Sequence, residues 1–314
     1  MPSPPAADLE AHRSRLRVHC YRMTGCLQDA EDLVQETLVR AWEKGPSFRG
    51  EASLTTWLYR IATNACLDFL RSRKSRRLPW GPEFPQYRHG DELPHPEAEA
   101  VWLEPFPTPE DQALRREHIA LAYLTLLQTL PPNQRAAVVL VEGLGYSAQE
   151  AADLLETTVA SVNSALQRAR KGRGEGRPEP DPRGSRDILE RFVRAWETGN
   201  AAAIVAMMKS DTRMVMPPYP LWVQGPGDIL RVLQDYPFHG DPARWRLVPG
   251  VRANGSPALG FYGRDTTGVF VPWGVQVLDL AADPNDGSPF IAGYYVFKGP
   301  HLVTAFGLPP SVEG

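Results

Sequence analysis

The sequence predicts a multidomain chain: two all-α blocks followed by an α+β domain. Three observations predict it. Residues 8–77 are nearly free of proline and carry apolar residues at helical spacing. Residues 110–171 repeat that texture. From residue 185 onward, amphipathic helices give way to β-branched and aromatic runs separated by turn signals. Two Pro- and Gly-rich stretches divide the blocks, an acidic linker at 78–109 and a shorter one at 172–184.

In the first block, "DAEDLVQETLVRAW" (29–42) places Ala30, Leu33, Val34, Leu38, Ala41 and Trp42 at helical spacing, with Asp29, Asp32, Gln35, Glu36 and Arg40 opposite. After a Gly/Pro break, Ser53 or Thr55 is expected to cap a helix over about 54–72. Leu54, Leu58, Ile61, Ala62, Ala65 and Leu67 form its apolar stripe, whereas Tyr59, Arg60, Thr63, Asn64 and Asp68 lie off it. Arg71, Arg73 and Lys74 load its C-terminal end, where cations complement the helix dipole. By pattern alone, an acidic helix face is most often simply solvated, a basic helix end most often a dipole complement, and Trp42 and Trp57 more often core than base-stacking platforms.

The second block reads as an apolar helix over 136–141, a break at "EGLGY", a short helix over 148–155 and a last helix over 159–171. Ser147 with Glu150 has the spacing of a capping box, and Thr158 is placed to cap the last helix. A short helix, a tight turn and a second helix with polar exposed positions have the form of a helix-turn-helix, whose second helix enters the major groove. Ser161, Asn163, Ser164, Gln167 and Arg168 are the candidate readers, and Arg168, Arg170 and Lys171 can neutralise phosphates.

The third block, 185–314, opens with a helix over 185–199 whose apolar face is Ile188, Leu189, Phe192, Val193 and Trp196. A short helix over 201–208, a strand near 212–218 and a helix over 225–236 follow. Strands are then expected at 243–253, 257–264, 268–282 and 290–297, the first two joined by an Asn254-Gly255 turn. Helices first and an antiparallel sheet afterwards indicate α+β.

The net charge of −3 by itself points to no nucleic acid, but basic residues cluster at 71–77 and 168–177 and acidic ones at 29–36 and 91–111. Such local patches steer a polyanion regardless of the total. Cys20, Cys26 and Cys66 have no CxxC or Cys/His spacing, so reduced buried thiols are expected and no metal. An N-terminus without an apolar signal core, and no run of membrane-spanning length, lead to the expectation of a cytoplasmic protein without membrane contact.

Taken together, "DAEDLVQETLVRAW" and "SFRGEASLTTWLYRIATNACLDFLR" resemble region 2, and "LPPNQRAAVVLVEGLGYSAQEAADLLETTVASVNSALQRAR" resembles region 4, of the extracytoplasmic-function group of RNA polymerase sigma factors. The order of the third block, with "MPPYPLWVQG" and the closing "AFGLPP", resembles the SnoaL-like branch of the NTF2-like cone fold. The resemblance implies that Asp29, Glu31, Asp32, Gln35 and Glu36 dock on the β′ clamp of core RNA polymerase, with Trp42 packing inside. It implies a −10 promoter site made of the 48–53 loop (Phe48, Arg49, Ser53) and of Trp57, Arg60, Asn64, Asp68, Arg71 and Arg73. A −35 site would comprise Thr158, Ser161, Val162, Ser164, Gln167, Arg168 and Arg170. Glu156, Asn163 and Ala165 depart from the group's usual Gly, Lys and Arg, which implies fewer phosphate contacts.

The segment between regions 2 and 4 would thread the polymerase cleft, and the apolar residues of "WLEPFP" (102–107) indicate that part of it docks. The cone would regulate the factor in cis over a thirteen-residue tether. Met214, Met216, Tyr219, Trp222, Phe261, Trp273 and Tyr295 are its candidate pocket, for an unknown small molecule or for none. No cofactor is implied. Two other readings stay open: a cyclase- or isomerase-type enzyme fused to a DNA-binding helper, with Asp211, His239, Asp265 and His301 as acid–base candidates, and a plain helix-turn-helix repressor.

Overall fold

A computed structural model describes residues 4–48, 50, 52–73, 76–80, 84, 86–88, 91–92, 94–96, 102–108, 120–173 and 177–313. The chain forms two compact units, Met1–Arg77 with Val101–Gly174, and Leu78–Ala100 with Glu175–Gly314. Both helical blocks therefore lie in one unit, and the 78–109 stretch expected as a linker is divided between the two.

The first unit opens with α1 (Ala6–Glu10), α2 (Arg13–Thr24), α3 (Leu27–Lys44) and α4 (Leu54–Arg71). Ser53 caps α4 by accepting from the Thr56 amide. Leu16, Cys20, Met23, Leu33, Val34, Leu58, Ala62 and Ala65 fill the space between α2, α3 and α4. All three cysteines are buried thiols, as expected.

His19 is fully buried, its Nε2 3.0 Å from Thr63 Oγ1. Burial, with the Arg22 guanidinium nearby, pulls its pKa from 6.5 down to about 3. The unfolded chain thus takes up a proton below pH 6.5 that the folded chain refuses, so stability falls as pH drops from 6.5 towards 3. At about 1.4 kcal/mol per pH unit, urea titrations should show about 2 kcal/mol less stability at pH 5 than at pH 7. His19→Gln should flatten that slope.

The second block follows with α5 (Leu121–Thr129), α6 (Pro132–Val138), a wide turn over Val139–Gly143, α7 (Ala148–Leu154) and α8 (Val159–Arg173). The Ser147–Glu150 capping box forms with both of its hydrogen bonds. Glu156, in the turn between α7 and α8, has φ +52°. The turn keeps the left-handed geometry that usually falls to glycine, and Glu156 bears its steric cost.

The two blocks are joined by buried hydrogen bonds. Arg135 of α6 is fully enclosed, and its guanidinium donates to the carbonyls of Leu127, Gln128 and Leu130 and to Met23 O at the end of α2. Gln128 Nε2 donates to Arg22 O at 3.2 Å, and Arg22 Nη1 donates to Gly143 O at 3.1 Å. A side chain on Gly143 would displace the Arg22 guanidinium, since its Cβ would fall 2.6 Å from Arg22 Nη1. These bonds satisfy carbonyls that helix ends leave unpaired.

The second unit holds α9 (Pro182–Glu197), α10 (Ala201–Val205), β1 (Met208–Val215), β2 (Trp222–Gln224), α11 (Pro226–Asp235), β3 (Trp245–Ala253), β4 (Ser256–Arg264), β5 (Phe270–Ala282), β6 (Pro289–Lys298) and α12 (Pro300–Ala305). Helix α9 starts earlier than expected because Asp181 caps it, accepting from the amides of Arg183 and Gly184. The strands form one six-stranded sheet in the order β2-β1-β6-β5-β4-β3. The sheet is mixed rather than wholly antiparallel, since β1 and β6 run parallel. Asn254 and Gly255, at φ +51° and +83°, make the β3–β4 hairpin turn. Phe192, Trp196, Ile229, Leu233, Trp245, Phe261, Leu278 and Tyr294 share the core between helices and sheet, giving the expected α+β cone.

Part of the expected linker belongs to this unit, and Tyr87 to its core. Leu78 and Phe84 are buried, and Trp80 lies 4.2 Å beneath the Arg213 guanidinium. Trp222 Nε1 donates to Phe84 O at 2.9 Å, and Trp222 O accepts from the Tyr87 amide at 3.0 Å. Gln86 bridges Trp222 in parallel, so the segment adds itself to the free edge of β2. Tyr87 packs into the cone core with its hydroxyl 2.7 Å from that of Tyr236.

Candidate protein and nucleic-acid interfaces

The α3 face carries the expected carboxylates, but not all of them are available. Asp32, Gln35 and Glu36 are exposed. Glu31 is half-buried and paired with Arg13 at 2.8 Å. Asp29 is largely enclosed and paired with Arg76 at 2.7 Å, which leaves it poorly placed to meet a partner. Trp42, expected to pack inside, is 59% exposed, and Val39 is 57% exposed. Positions 32, 35/36, 39 and 42/43 fall on one helical stripe, so the exposed acids run into an exposed apolar patch. A carboxylate row ending in an open tryptophan has the composition of a protein-docking surface.

On α4, Arg60 and Asn64 are exposed one turn apart, and Arg71 and Arg73 are exposed at its end. Trp57 is half-buried with its ring 4.9 Å from that of Phe48. Ser53 spends its hydroxyl on the helix cap. Asp68 pairs with Arg71 at 2.8 Å and lies 3.8 Å from Arg40, so it organises cations rather than facing a phosphate. Arg49 lies outside the described residues. Glu156, in the helix-turn-helix turn, reaches Arg60 at 3.5 Å; both are exposed, so the pair contributes well under about 1 kcal/mol.

On α8, Ser161, Ser164, Gln167 and Arg168 are exposed along one face, with Arg170 beside them. Thr158 caps the helix by accepting from the Ser161 amide at 3.2 Å. Val162 has no exposed surface, so it belongs to the packing of α8 and presents nothing to a groove. Arg168 is held by Gln134 at 2.8 Å and Arg170 by Glu142 at 3.1 Å.

In the cone, Met214 and Phe261 are buried core residues, with Met216, Tyr219 and Trp273 packed against them. Lys298 Nζ donates to Tyr219 OH at 2.9 Å and lies 5.2 Å from the Trp273 ring centroid. Two candidate pocket residues are elsewhere. Trp222 holds the 84–87 segment at the sheet edge. Tyr295 points to the opposite sheet face, stacked on Phe297, because successive side chains alternate. Its neighbour Tyr294 occupies the interior, hydrogen-bonded to buried Gln276 at 3.1 Å.

The four acid–base candidates do not converge. Asp211 pairs with Arg177, His239 and His301 are exposed, and Asp265 accepts from Thr267 and the turn amides, which hold its carboxyl below the usual range. Among the described residues, no cluster of His, Cys, Asp or Glu could hold a metal ion, and no helix is long and apolar enough to cross a membrane.

Sequence reasoning missed Arg22, Gln128 and Arg135. An arginine on a helix reads as surface, and nothing in its spacing marks the inward ones.

The chain matches the Sigma-70 region 2 family over residues 9–76 and the Sigma-70 region 4 family over residues 120–171. It is 38% identical over 321 residues to the ECF RNA polymerase sigma factor SigG of Mycobacterium tuberculosis (strain ATCC 25618 / H37Rv), covering 98% of this chain and 84% of that protein. It is 29% identical over 210 residues to SigJ of the same strain, covering 65% of this chain and 62% of that one. The crystal structure of the M. tuberculosis extracytoplasmic function sigma factor SigJ aligns with a TM-score of 0.62 over 97% of this chain and all of that one, at 22% identity, a likeness of fold. The chain belongs to the ECF RNA polymerase sigma factors.

Proposed function

We propose that the chain directs core RNA polymerase to promoters with two separate elements and initiates transcription there, working in the cytoplasm. The observation that carries this reading is the separation of exposed surfaces in one helical unit. Acids and an open tryptophan line α3, and polar and basic side chains line α4 and α8. Asp32, Gln35, Glu36, Val39 and Trp42 dock on the polymerase clamp. Phe48, Trp57, Arg60 and Asn64 hold the opened −10 strand, stacking and hydrogen bonding offsetting the few kcal/mol lost on unstacking. Ser161, Ser164, Gln167 and Arg168 read the −35 duplex.

The observed arrangement is a resting one. A folded unit of about 150 residues has a radius of gyration of about 15 Å. The two elements lie about 25 base pairs apart, roughly 85 Å along B-DNA. The blocks must separate to hold both. The cone acts as a non-catalytic regulator in cis, and its dispersed acid–base candidates favour that role over an enzyme. Reconstitution with core polymerase and mapping of transcript starts tests the reading. Discrete starts downstream of a shared two-element sequence are expected, and transcription no different from core polymerase alone would refute it.

A further inference from the structure

Residues 102–107, Trp-Leu-Glu-Pro-Phe-Pro, are seated on the first helical block in a way the proposed function does not use. Trp102, Leu103 and Phe106 are buried. The Leu103 amide donates to Arg77 O and the Glu104 amide to Gly25 O, both at 3.0 Å. Tyr21 OH donates to Glu104 O at 2.7 Å, and Arg76 Nη1 to Trp102 O at 3.3 Å. Glu104 Oε2 accepts from the Leu27 amide at 2.8 Å, so a carboxylate from the connecting segment caps α3. The Phe106 ring lies 4.5 Å from that of Tyr21 and 5.4 Å from the Arg17 guanidinium.

The floor of this groove is Gly25. Its φ of +74° is left-handed, and a Cβ there would fall 2.3 Å from Leu103 Cδ2. Glycine is required twice over, for the end of α2 and for the approach of Leu103.

We propose that this groove is a docking site for the chain's own residues 102–107. The segment is a strap that must leave before the two helical blocks can occupy both promoter elements. The inference rests on the sigma-factor reading and concerns what limits it. With the strap seated, only residues 109–120 connect the first block to α5. Twelve residues span about 20 Å, whether as coil or as helix. Even drawn taut they reach about 45 Å, against the roughly 85 Å between elements. The blocks' own widths could close that gap only with the chain fully stretched, at a cost of about 1–2 kcal/mol per residue in backbone entropy. With the strap free the connection to α5 begins at residue 78, and its residues 92–120 alone raise the limit to about 100 Å. Because the strap is covalently attached, its effective concentration at the groove is about millimolar, so it reseats whenever the complex dissociates.

Hydrogen exchange at the Leu103 and Glu104 amides in the full chain tests this directly. Both should be protected in the free protein. They should exchange freely in the complex with core polymerase and a two-element promoter, and stay protected with a promoter that has only the −10 element. A Glu104→Ala/Phe106→Ala double variant should transcribe at least about three-fold more from the two-element template, and no more than the natural chain from the −10-only template. Protection that persists in the two-element complex, or equal transcription by the two proteins from that template, overturns the strap. Failure to form any polymerase complex, read by gel filtration in the same experiment, overturns the sigma-factor reading and the strap's purpose with it.

Discussion

Replacing Arg135 with methionine is expected to lower the stability of the helical unit by about 3–5 kcal/mol, the combined cost of the buried acceptors left without their donor less what relaxation recovers. Methionine matches the apolar stem, stops short of the guanidinium's place and donates nothing. The carbonyls of Gln128, Leu130 and Met23 would lose the guanidinium donor while still enclosed, whereas Leu127 O keeps the Leu130 amide at 3.1 Å. Each orphaned acceptor costs about 1–3 kcal/mol, and relaxation recovers part of the sum. Burial pulls the Arg135 pKa down only to about 10, so the group is charged at neutral pH and suits the negative C-terminal ends of both α2 and α5. Arg135→Lys should recover a minority of the loss, because three donors on a point-like ammonium cannot reproduce the guanidinium fork. Urea unfolding of the full chain measures the effect, and Arg60→Ala is the control. Its exposed partner Glu156 predicts a change below about 1 kcal/mol. Equal midpoints for the Arg135 and Arg60 variants would mean that Arg135 is not the tie between the blocks.

The same residue marks where the sequence stops being legible. Helical periodicity in 29–42 and 54–72 was enough to locate α3 and α4, because each buries one stripe and solvates the other. Caps were legible for the same local reason: Ser53, Ser147 with Glu150, and Thr158 are all used as their spacing implied. What depends on the chain returning from a distance was not. The parallel pairing of β1 with β6 joins strands that are far apart in sequence. The docking of Tyr87 on the cone came from a stretch whose prolines and acids read as a linker, and although the apolar residues of 102–107 indicated docking, nothing in them named the first block as the seat of Trp102. Proline fixes an extended backbone, and an extended backbone serves as well for adding to a sheet edge as for spanning solvent.

The functional faces were legible at the level of the helix and less so at the level of the residue. Ser161 and Val162 are adjacent, and only packing decides which faces out. Tyr294 and Tyr295 present the same difficulty in β6, where both sheet faces are covered and alternation loses its contrast. Trp42 went the other way. An exposed tryptophan is rare enough that burial was the natural expectation, and its exposure beside Val39 places an apolar patch at the end of the acidic row.

Reversing the charge at Asp32 and Glu36 to lysine is expected to abolish co-purification with core RNA polymerase while leaving the fold intact. Both side chains are exposed. Among the described residues Asp32 engages only Gln28, at 2.9 Å, and Glu36 forms an i,i+4 pair with Arg40. Together these contribute less than about 1 kcal/mol, so the urea midpoint should barely move. At an interface, a desolvated charge left facing its like costs about 2–5 kcal/mol per site. Two such sites correspond to a loss of affinity of about a thousand-fold or more. Asp29 is unsuitable for this experiment, because its pairing with Arg76 makes any loss of binding inseparable from damage to the start of α3. Trp42→Ala provides the independent arm: a hot-spot aromatic predicts a loss of at least about 2 kcal/mol in binding, whereas a side chain already in water predicts almost none in stability. If neither the Asp32→Lys/Glu36→Lys chain nor the Trp42→Ala chain loses co-purification with polymerase, the docking face is not on α3. If only Trp42→Ala weakens binding, the apolar end of the stripe carries the contact and the acids merely steer it.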